Sequence, residues 1–271
     1  MTKIELDEKL KFLIQCLEDE SPEYKNYKPS GNSKDDFNLF RALCNVREPK
    51  VNAKTMHTLS KDFYKVEGEV LKSITQENGI TDCEKIPSSK LDSRLCVWQG
   101  DITTLKVDAI VNAANSQMLG CFSPLHACID NCIHTMAGVE LREKCFEIMK
   151  EQGSEEKTGG AKITPAYNLP SKFVIHTVGP IVYGILTERD KILLSSCYKS
   201  ILNLASKNNL ESLAFCCIST GVFHFPQDKA AEIAVKTTQN WLNENANSSI
   251  KKVIFNVFLD DDLEIYKKIL N

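Results

Sequence analysis

VDAIVNAANSQMLGCFSPLHACIDNCIHTMAG, residues 107–138, opens with an apolar run at Ala109 to Val111 and closes in an amphipathic run of helical spacing. Between them, the segment from Cys121 to His134 holds three of the chain's eleven cysteines (Cys121, Cys128, Cys132) and two of its five histidines (His126, His134). A strand, a loop crowded with soft ligands, and a helix form the unit around which the other elements are read.

Downstream and upstream of this unit the same alternation recurs. Strands are expected at residues 95–98, 107–112, 161–164, 173–178, 213–218 and 253–259. Helices are expected at 128–149 (broken near Gly138), 188–207, 226–243 and 263–270, with Pro226 at a first helical position where its missing N–H costs nothing. Strands alternating with helices of this length imply a sheet covered on both faces. In such folds ligands sit beyond the C-terminal ends of the strands. The informative residues fall there: Gly100-Asp101, the 112–128 loop, and the loop from Ser219 to Phe225.

Residues 1–92 read differently. Leu6, Leu10, Leu13, Ile14 and Leu17 recur at helical spacing, and Ser21-Pro22 ends the run. A second helix is expected after Ser33 as N-cap, closed by Pro49, and a third after Ser60, ending at Gly79. No motif for chemistry lies in them. The polar stretch 85–93 marks a boundary, which divides the chain into a helical extension, 1–92, and a domain, 93–271.

Composition narrows the class. A formal net charge of −3 argues against binding nucleic acid through phosphate contacts. It leaves room for a bound nucleotide, whose diphosphate backbone N–H groups can hold. The charged start MTKIELDEKL lacks a signal-peptide core, and no apolar run reaches membrane-spanning length. An odd number of cysteines in such a chain points to free thiols or metal ligands in a reducing, cytoplasmic setting.

Each motif has a plain reading beside the functional one. Asp101 can accept a hydrogen bond from an exocyclic amine, or simply cap the following turn. Ser219-Thr220-Gly221-Val222-Phe223 can form an anion nest next to a helix start, with Gly221 allowing the tight turn, or be an ordinary loop. Cys121, His126 and Cys128 suit zinc with a fourth position open, and Cys132 is an alternative to Cys128. Asp130 is a base or orienting candidate beside that site, or an N-cap. His134 and His176 read as core histidines.

Taken in order, GDIT at 100–103, VDAIVNAAN at 107–115, IHTMAG at 133–138, TGGAKIT at 158–164, YNLP at 167–170, FVIHTVGP at 173–180 and STGVF at 219–223 resemble the macrodomains, the ADP-ribose-binding fold. The resemblance covers roughly 95–271. It implies a three-layer α/β/α domain with a mixed sheet, preceded by an N-terminal helical extension. Where hydrolytic macrodomains carry a glycine-rich loop, this chain has residues 120–131, GCFSPLHACIDN, which resembles the zinc-dependent branch. That branch is associated with sirtuin-type ADP-ribosyltransferases and removes mono-ADP-ribose from proteins. The resemblance implies that Asp101 and the Ile102 backbone bind adenine. It further implies that Ser219 to Phe223 wrap the diphosphate, and that Asn115, Cys128, Ile129 and Asp130 face the distal ribose. Cys121, His126 and Cys128 would hold Zn²⁺, with Asn115 and Asp130 catalytic. His224 and Asn131 depart from the family pattern, which usually has glycine at both. The expected activity is hydrolysis of mono-ADP-ribose from acidic side chains. The alternatives are a non-enzymatic ADP-ribose reader and an O-acetyl-ADP-ribose deacetylase.

Overall fold

The computed structural model of the chain describes residues 1–49 and 59–271. Three helices come first: α1 (Lys3–Glu20), α2 (Ser33–Val46) and α3 (Lys61–Asn78). Each begins where a side-chain oxygen takes an otherwise orphaned N–H. Thr2 and Glu5 form a capping box, and Ser60 caps α3. For α2 the cap is Asn32, not the expected Ser33, because its Oδ1 accepts from both Lys34 N and Asp35 N. Leu10, Leu13, Ile14, Phe40, Phe63 and Leu71 are buried and belong to one hydrophobic core that continues into the sheet.

The sheet strands are β2 (Leu95–Gln99), β4 (Ala109–Ala114), β5 (Ala161–Pro165), β6 (Phe173–Val178), β7 (Ser212–Phe215) and β8 (Lys252–Val257). A separate two-residue parallel pair joins β1 (Thr81–Asp82) to β3 (Leu105–Lys106), and so ties the expected extension to the expected domain across residue 92. The large sheet has the order β2-β8-β7-β4-β6-β5. All neighbours are parallel except β5 and β6. Every residue of β7, and all but the first of β6 and β8, is buried, so both faces of the sheet are covered. The covering helices are α4 (Ile129–Ala137), α5 (Val139–Gln152), α6 (Glu188–Lys207), α7 (Gln227–Glu244) and α8 (Asp260–Leu270). This is the expected three-layer fold with a mixed sheet and a leading helical region.

Several expected boundaries shift for visible reasons. β4 starts at Ala109 instead of Val107 because Asp108 leaves the ladder. Its Oδ2 accepts from Glu211 N and Ser212 N, and its carboxylate pairs with Lys172. Residues 216–218 and 258–259 lie outside the ladder and turn towards a cavity. α7 starts at Gln227, with Pro226 as its cap residue. α4 starts at Ile129, with Cys128 as N-cap through a Sγ that accepts from Asn131 N at 3.4 Å.

Gly138 separates α4 from α5 at φ +93, and a Cβ there would stand 2.7 Å from Glu67 Oε2. Glu67 of α3 is fully buried at this joint. Its Oε1 accepts from Val139 N at 3.2 Å, while Oε2 has no partner among the described residues. Burial pushes its carboxyl up to about 8, and the Val139 hydrogen bond only partly opposes this.

Candidate active site

The C-terminal ends of β4, β6, β7 and β8 open onto one cavity of about 430 Å³, lined by Ala113, Gly179, Cys216, Cys217, Asn256 and Phe258 among others. That volume lies in the usual range for ligand pockets. Two further segments complete its wall: residues 126–129, leading into α4, and residues 219–223, leading towards α7.

The 219–223 loop is shaped by two left-handed residues, Ser219 (φ 67) and His224 (φ 56). Gly221 opens a turn that His224 N closes, but the left-handed positions fall on Ser219 and His224. His224 occupies a left-handed position, a conformation glycine adopts without cost. No protein atom lies within 4 Å of a Cβ built on Gly221, so this residue leaves open space on the cavity side. Gly179 has the opposite surroundings: a Cβ there would meet Ser219 Oγ at 2.1 Å. Phe225 N closes the loop on Ser219 O, and His224 N on Gly221 O. Among the described residues, the N–H groups of Gly221, Val222 and Phe223 find no protein acceptor. Three consecutive free donors on a cavity wall form an anion seat. Across the cavity Ile129 begins α4, whose first-turn N–H groups add partial positive charge.

Beside this seat, the ligand atoms of Cys121, His126 and Cys128 all lie within 4.8 Å of one another, with Cys121 Sγ 3.6 Å from His126 Nδ1. The segment that carries them is non-helical, as the one-residue gap between His126 and Cys128 demands. His126 and Cys128 line the cavity, so the cluster opens onto it. Cys132, one turn into α4, stays out of the cluster.

Other expected site residues take up different positions. Asp101 is exposed and caps the 3₁₀ turn Ile102–Thr104. Its Oδ1 accepts from Thr103 N and Thr103 Oγ1, which leaves Oδ2 for a ligand. It does not line the cavity; the preceding Gly100 is held beside the end of β8, where its N donates to Val257 O and its O accepts from Asn256 Nδ2. Ile102 is buried, so only its backbone is available. Asn115 is not on the cavity wall. Its Nδ2 donates to Gly120 O and its Oδ1 accepts from Met118 N, so the side chain shapes the loop.

Asp130 is 5 % exposed and also stands behind the wall. Asn112 Nδ2 donates to its Oδ1 at 2.7 Å, and His134 Nε2 lies 3.5 Å from the same oxygen. Burial raises its carboxyl to about 6, against the Asn112 hydrogen bond. Behind it His176, pushed down to about 4 by burial, faces Asn112 Nδ2 and Thr164 Oγ1. The expectation of two core histidines holds, but only His176 is satisfied: among the described residues neither ring nitrogen of His134 has a hydrogen-bond partner.

Sequence reading missed Asn256, Phe258, Leu259 and Asp262, which complete the wall. Phe258 and Leu259 are exposed apolar side chains just past β8, suited to an aromatic base. Their position at a strand's C-terminal end was the available signal.

Residues 111–234 match the family model "Macro domain". A protein-ADP-ribose hydrolase of Treponema medium is 51 % identical over 96 % of this chain and 97 % of its own length. A protein-ADP-ribose hydrolase of Staphylococcus aureus is 46 % identical over 97 % of this chain and 95 % of its own. The Trypanosoma brucei macrodomain, solved in complex with ADP-ribose, superposes with a TM-score of 0.62 at 28 % identity, covering 85 % of this chain and 95 % of that one. Matching this family model and sharing about half its residues with such relatives over nearly its full length, the chain belongs to the Macro domain family and is a hydrolase.

Proposed function

We propose that this hydrolase releases mono-ADP-ribose from modified proteins, with the modified side chain an aspartate or glutamate. The observation that carries the reading is the row of N–H groups at Gly221 to Phe223, free among the described residues, on the wall of the cavity that His126 and Cys128 of the thiol–imidazole cluster also line. A diphosphate bound to the anion seat would run between Phe258 and the cluster. The adenine would then lie on Phe258 and Leu259, with Asp101 Oδ2 near its exocyclic amine, and the distal ribose would reach Cys128 and Ile129. The complex of the Trypanosoma brucei relative with ADP-ribose supports this choice of ligand.

The donor set of Cys121, His126 and Cys128 fits zinc: two thiols and an imidazole, gathered on a cavity wall with room for a fourth ligand. Burial pushes the Cys128 thiol up to about 12 despite the Asn131 N–H, so a nearby cation is what would hold it as the thiolate. Cys121, His126 and Cys128 would hold the zinc, which would supply Lewis-acid chemistry at this end of the cavity.

The chain's own residues bind and orient. The anion seat fixes the diphosphate, and so the distance of the ribose from the cluster. Asn115 holds the Gly120 carbonyl, and hence the start of the ligand loop. Asp130 acts as a positioning residue: through Asn112 it fixes the first turn of α4, whose N–H groups face the ribose. In the reaction the bond between the anomeric carbon and the carboxylate oxygen breaks. Water oxygen bonds to that carbon, and a water proton leaves with the freed carboxyl group. The association of the resembling branch with sirtuin-type ADP-ribosyltransferases makes such an enzyme the source of the substrate.

The test uses a protein mono-ADP-ribosylated on carboxylates, incubated with zinc-loaded wild type and with Cys128→Ser. Release of free ADP-ribose by wild type, and loss of at least about 100-fold in the variant, are expected. Binding of ADP-ribose without any release from the modified protein would overturn the reading. Purified protein lacking near-stoichiometric zinc would overturn the metal assignment separately.

A further inference from the structure

The segment Cys121 to Cys128 has little of its own to hold its shape. Most of it is exposed, and among the described residues its one internal backbone hydrogen bond runs from His126 N to Ser123 O. Leu125 is in the left-handed region at φ 56, a conformation that persists only where surroundings enforce it. Yet three side chains of this loop converge within 4.8 Å. The enforcement comes from outside the loop, largely from α2.

Asn45 of α2, 1 % exposed, accepts from Leu125 N at 3.0 Å and so fixes the left-handed residue. Arg41, one turn earlier, donates from Nη2 to His126 O at 2.8 Å, and from Nε and Nη2 to Asn131 Oδ1 at 3.1 and 2.7 Å. Asn131 passes this on: its Nδ2 donates to Ser123 O at 3.0 Å, and its backbone N to Cys128 Sγ. From the other side Arg142 of α5 lies over the Phe122 ring at 4.3 Å and donates to Cys121 O at 3.4 Å. The same guanidinium takes the carbonyls of Cys44, Asn45 and Arg47 at 2.7–2.9 Å, which locks the end of α2 to α5. Each of the three ligand residues is thus reached by a tether that runs through α2 or is anchored on it.

We infer that the N-terminal helical region is a working part of the metal site, with Arg41 and Asn45 as positioning residues that hold the ligand loop in its metal-gathering shape. This rests on the zinc reading above and deepens it. Planar, multiply bonded guanidinium suits the task, because it fixes direction as well as distance. Outer partners of metal ligands commonly set metal affinity by about 10–100-fold.

The experiment compares wild type with Arg41→Ala, Arg41→Lys and Leu10→Ala, the last opening a cavity in the helical core away from the loop. Zinc affinity is measured by competition with a chromophoric chelator, and ligand geometry by the absorption of the cobalt(II)-substituted protein. Arg41→Ala is expected to bind zinc about 10–100-fold more weakly, with altered cobalt bands, while melting as a folded protein. Arg41→Lys, which keeps a donor for His126 O but not the pair on Asn131, should recover part of the loss. Leu10→Ala should melt at lower temperature yet keep zinc affinity within about threefold when folded. Wild-type zinc affinity and cobalt bands in Arg41→Ala would overturn the proposal. So would a loss in Leu10→Ala equal to that in Arg41→Ala, since the effect would then be general destabilisation. If wild type takes up no zinc, or Cys128→Ser binds it equally well, the metal reading fails and the inference falls with it.

Discussion

Replacing Glu67 with glutamine tests the joint between the helical region and the sheet domain. The carboxyl is fully buried, with one oxygen on Val139 N and the other without a partner among the described residues. Its pKa rises from 4.5 to about 8. The folded value exceeds the unfolded one, so this group's stabilising protonated form is fully present below pH 4.5, and its contribution is lost as pH rises through 8. A displacement of about 3.5 pH units at about 1.4 kcal/mol each sets a ceiling near 5 kcal/mol. Between pH 5 and 8 the part lost is about 3–4 kcal/mol. Glutamine keeps an oxygen for Val139 N and cannot ionise. Urea unfolding of both proteins at each pH from 5 to 9 isolates the term, because all other titrations cancel in the difference. The two should match within about 1 kcal/mol at pH 5, and Glu67→Gln should lead by about 3–4 kcal/mol at pH 8. A difference that stays flat across this range would refute the argument that the buried carboxyl resists ionisation.

Two other substitutions probe the cavity. Gly179→Ala crowds the Ser219 and Ile218 side chains at the base of the anion-seat loop, so these must shift; ADP-ribose affinity by calorimetry should fall at least about tenfold, with a stability cost of about 1–3 kcal/mol. Unchanged affinity would show that the loop gives way harmlessly. Asp130 is raised from 3.8 to about 6, so its contribution is lost as pH rises through 6 and its ionised form costs up to about 3 kcal/mol at pH 8. Asp130→Asn should therefore be more stable at pH 8, equal to wild type below pH 4, and less active. A variant that is less stable at pH 8, or fully active, contradicts the view that a costly carboxylate is kept for function.

Much of this was readable from residues alone, for reasons tied to particular positions. The ligand trio was visible because its members are chemically distinctive and close in sequence, and the odd gap between His126 and Cys128 itself required a loop. The sheet domain was visible because β6 and β7 are mostly apolar and alternate with helical patterns. The direction in which Asp130 points was not visible: it follows the cavity-lining Ile129, but one residue turns a helix by about 100°, which aims it at Asn112. Asn115 entered as a ribose ligand through the family resemblance; sequence does not show that its amide also bonds Gly120 O and Met118 N. The left-handed burden of the 219–224 loop fell on Ser219 and His224, residues with no glycine signal. β1 and β3, at two residues each, are too short for any periodicity. The tethers from Arg41 and Asn45 span 80 to 90 positions, a distance at which no local pattern speaks.

The strand order also governs how the chain assembles over time. β2 has β8 as its sheet neighbour, and β8 stands between β2 and β7. On a chain made from the N-terminus, β2 therefore waits for almost everything that follows before it can pair, and β7 waits beside it with an open edge. Pairings so far apart in sequence form slowly, and open apolar edges recruit other chains. A polypeptide cut short before Lys252 loses the strand that joins β2 to the rest of the sheet, leaving two fragments with unpaired edges. Premature termination near the end of translation would thus be more damaging than its few missing residues suggest, and such products would be natural targets for chaperones and proteases.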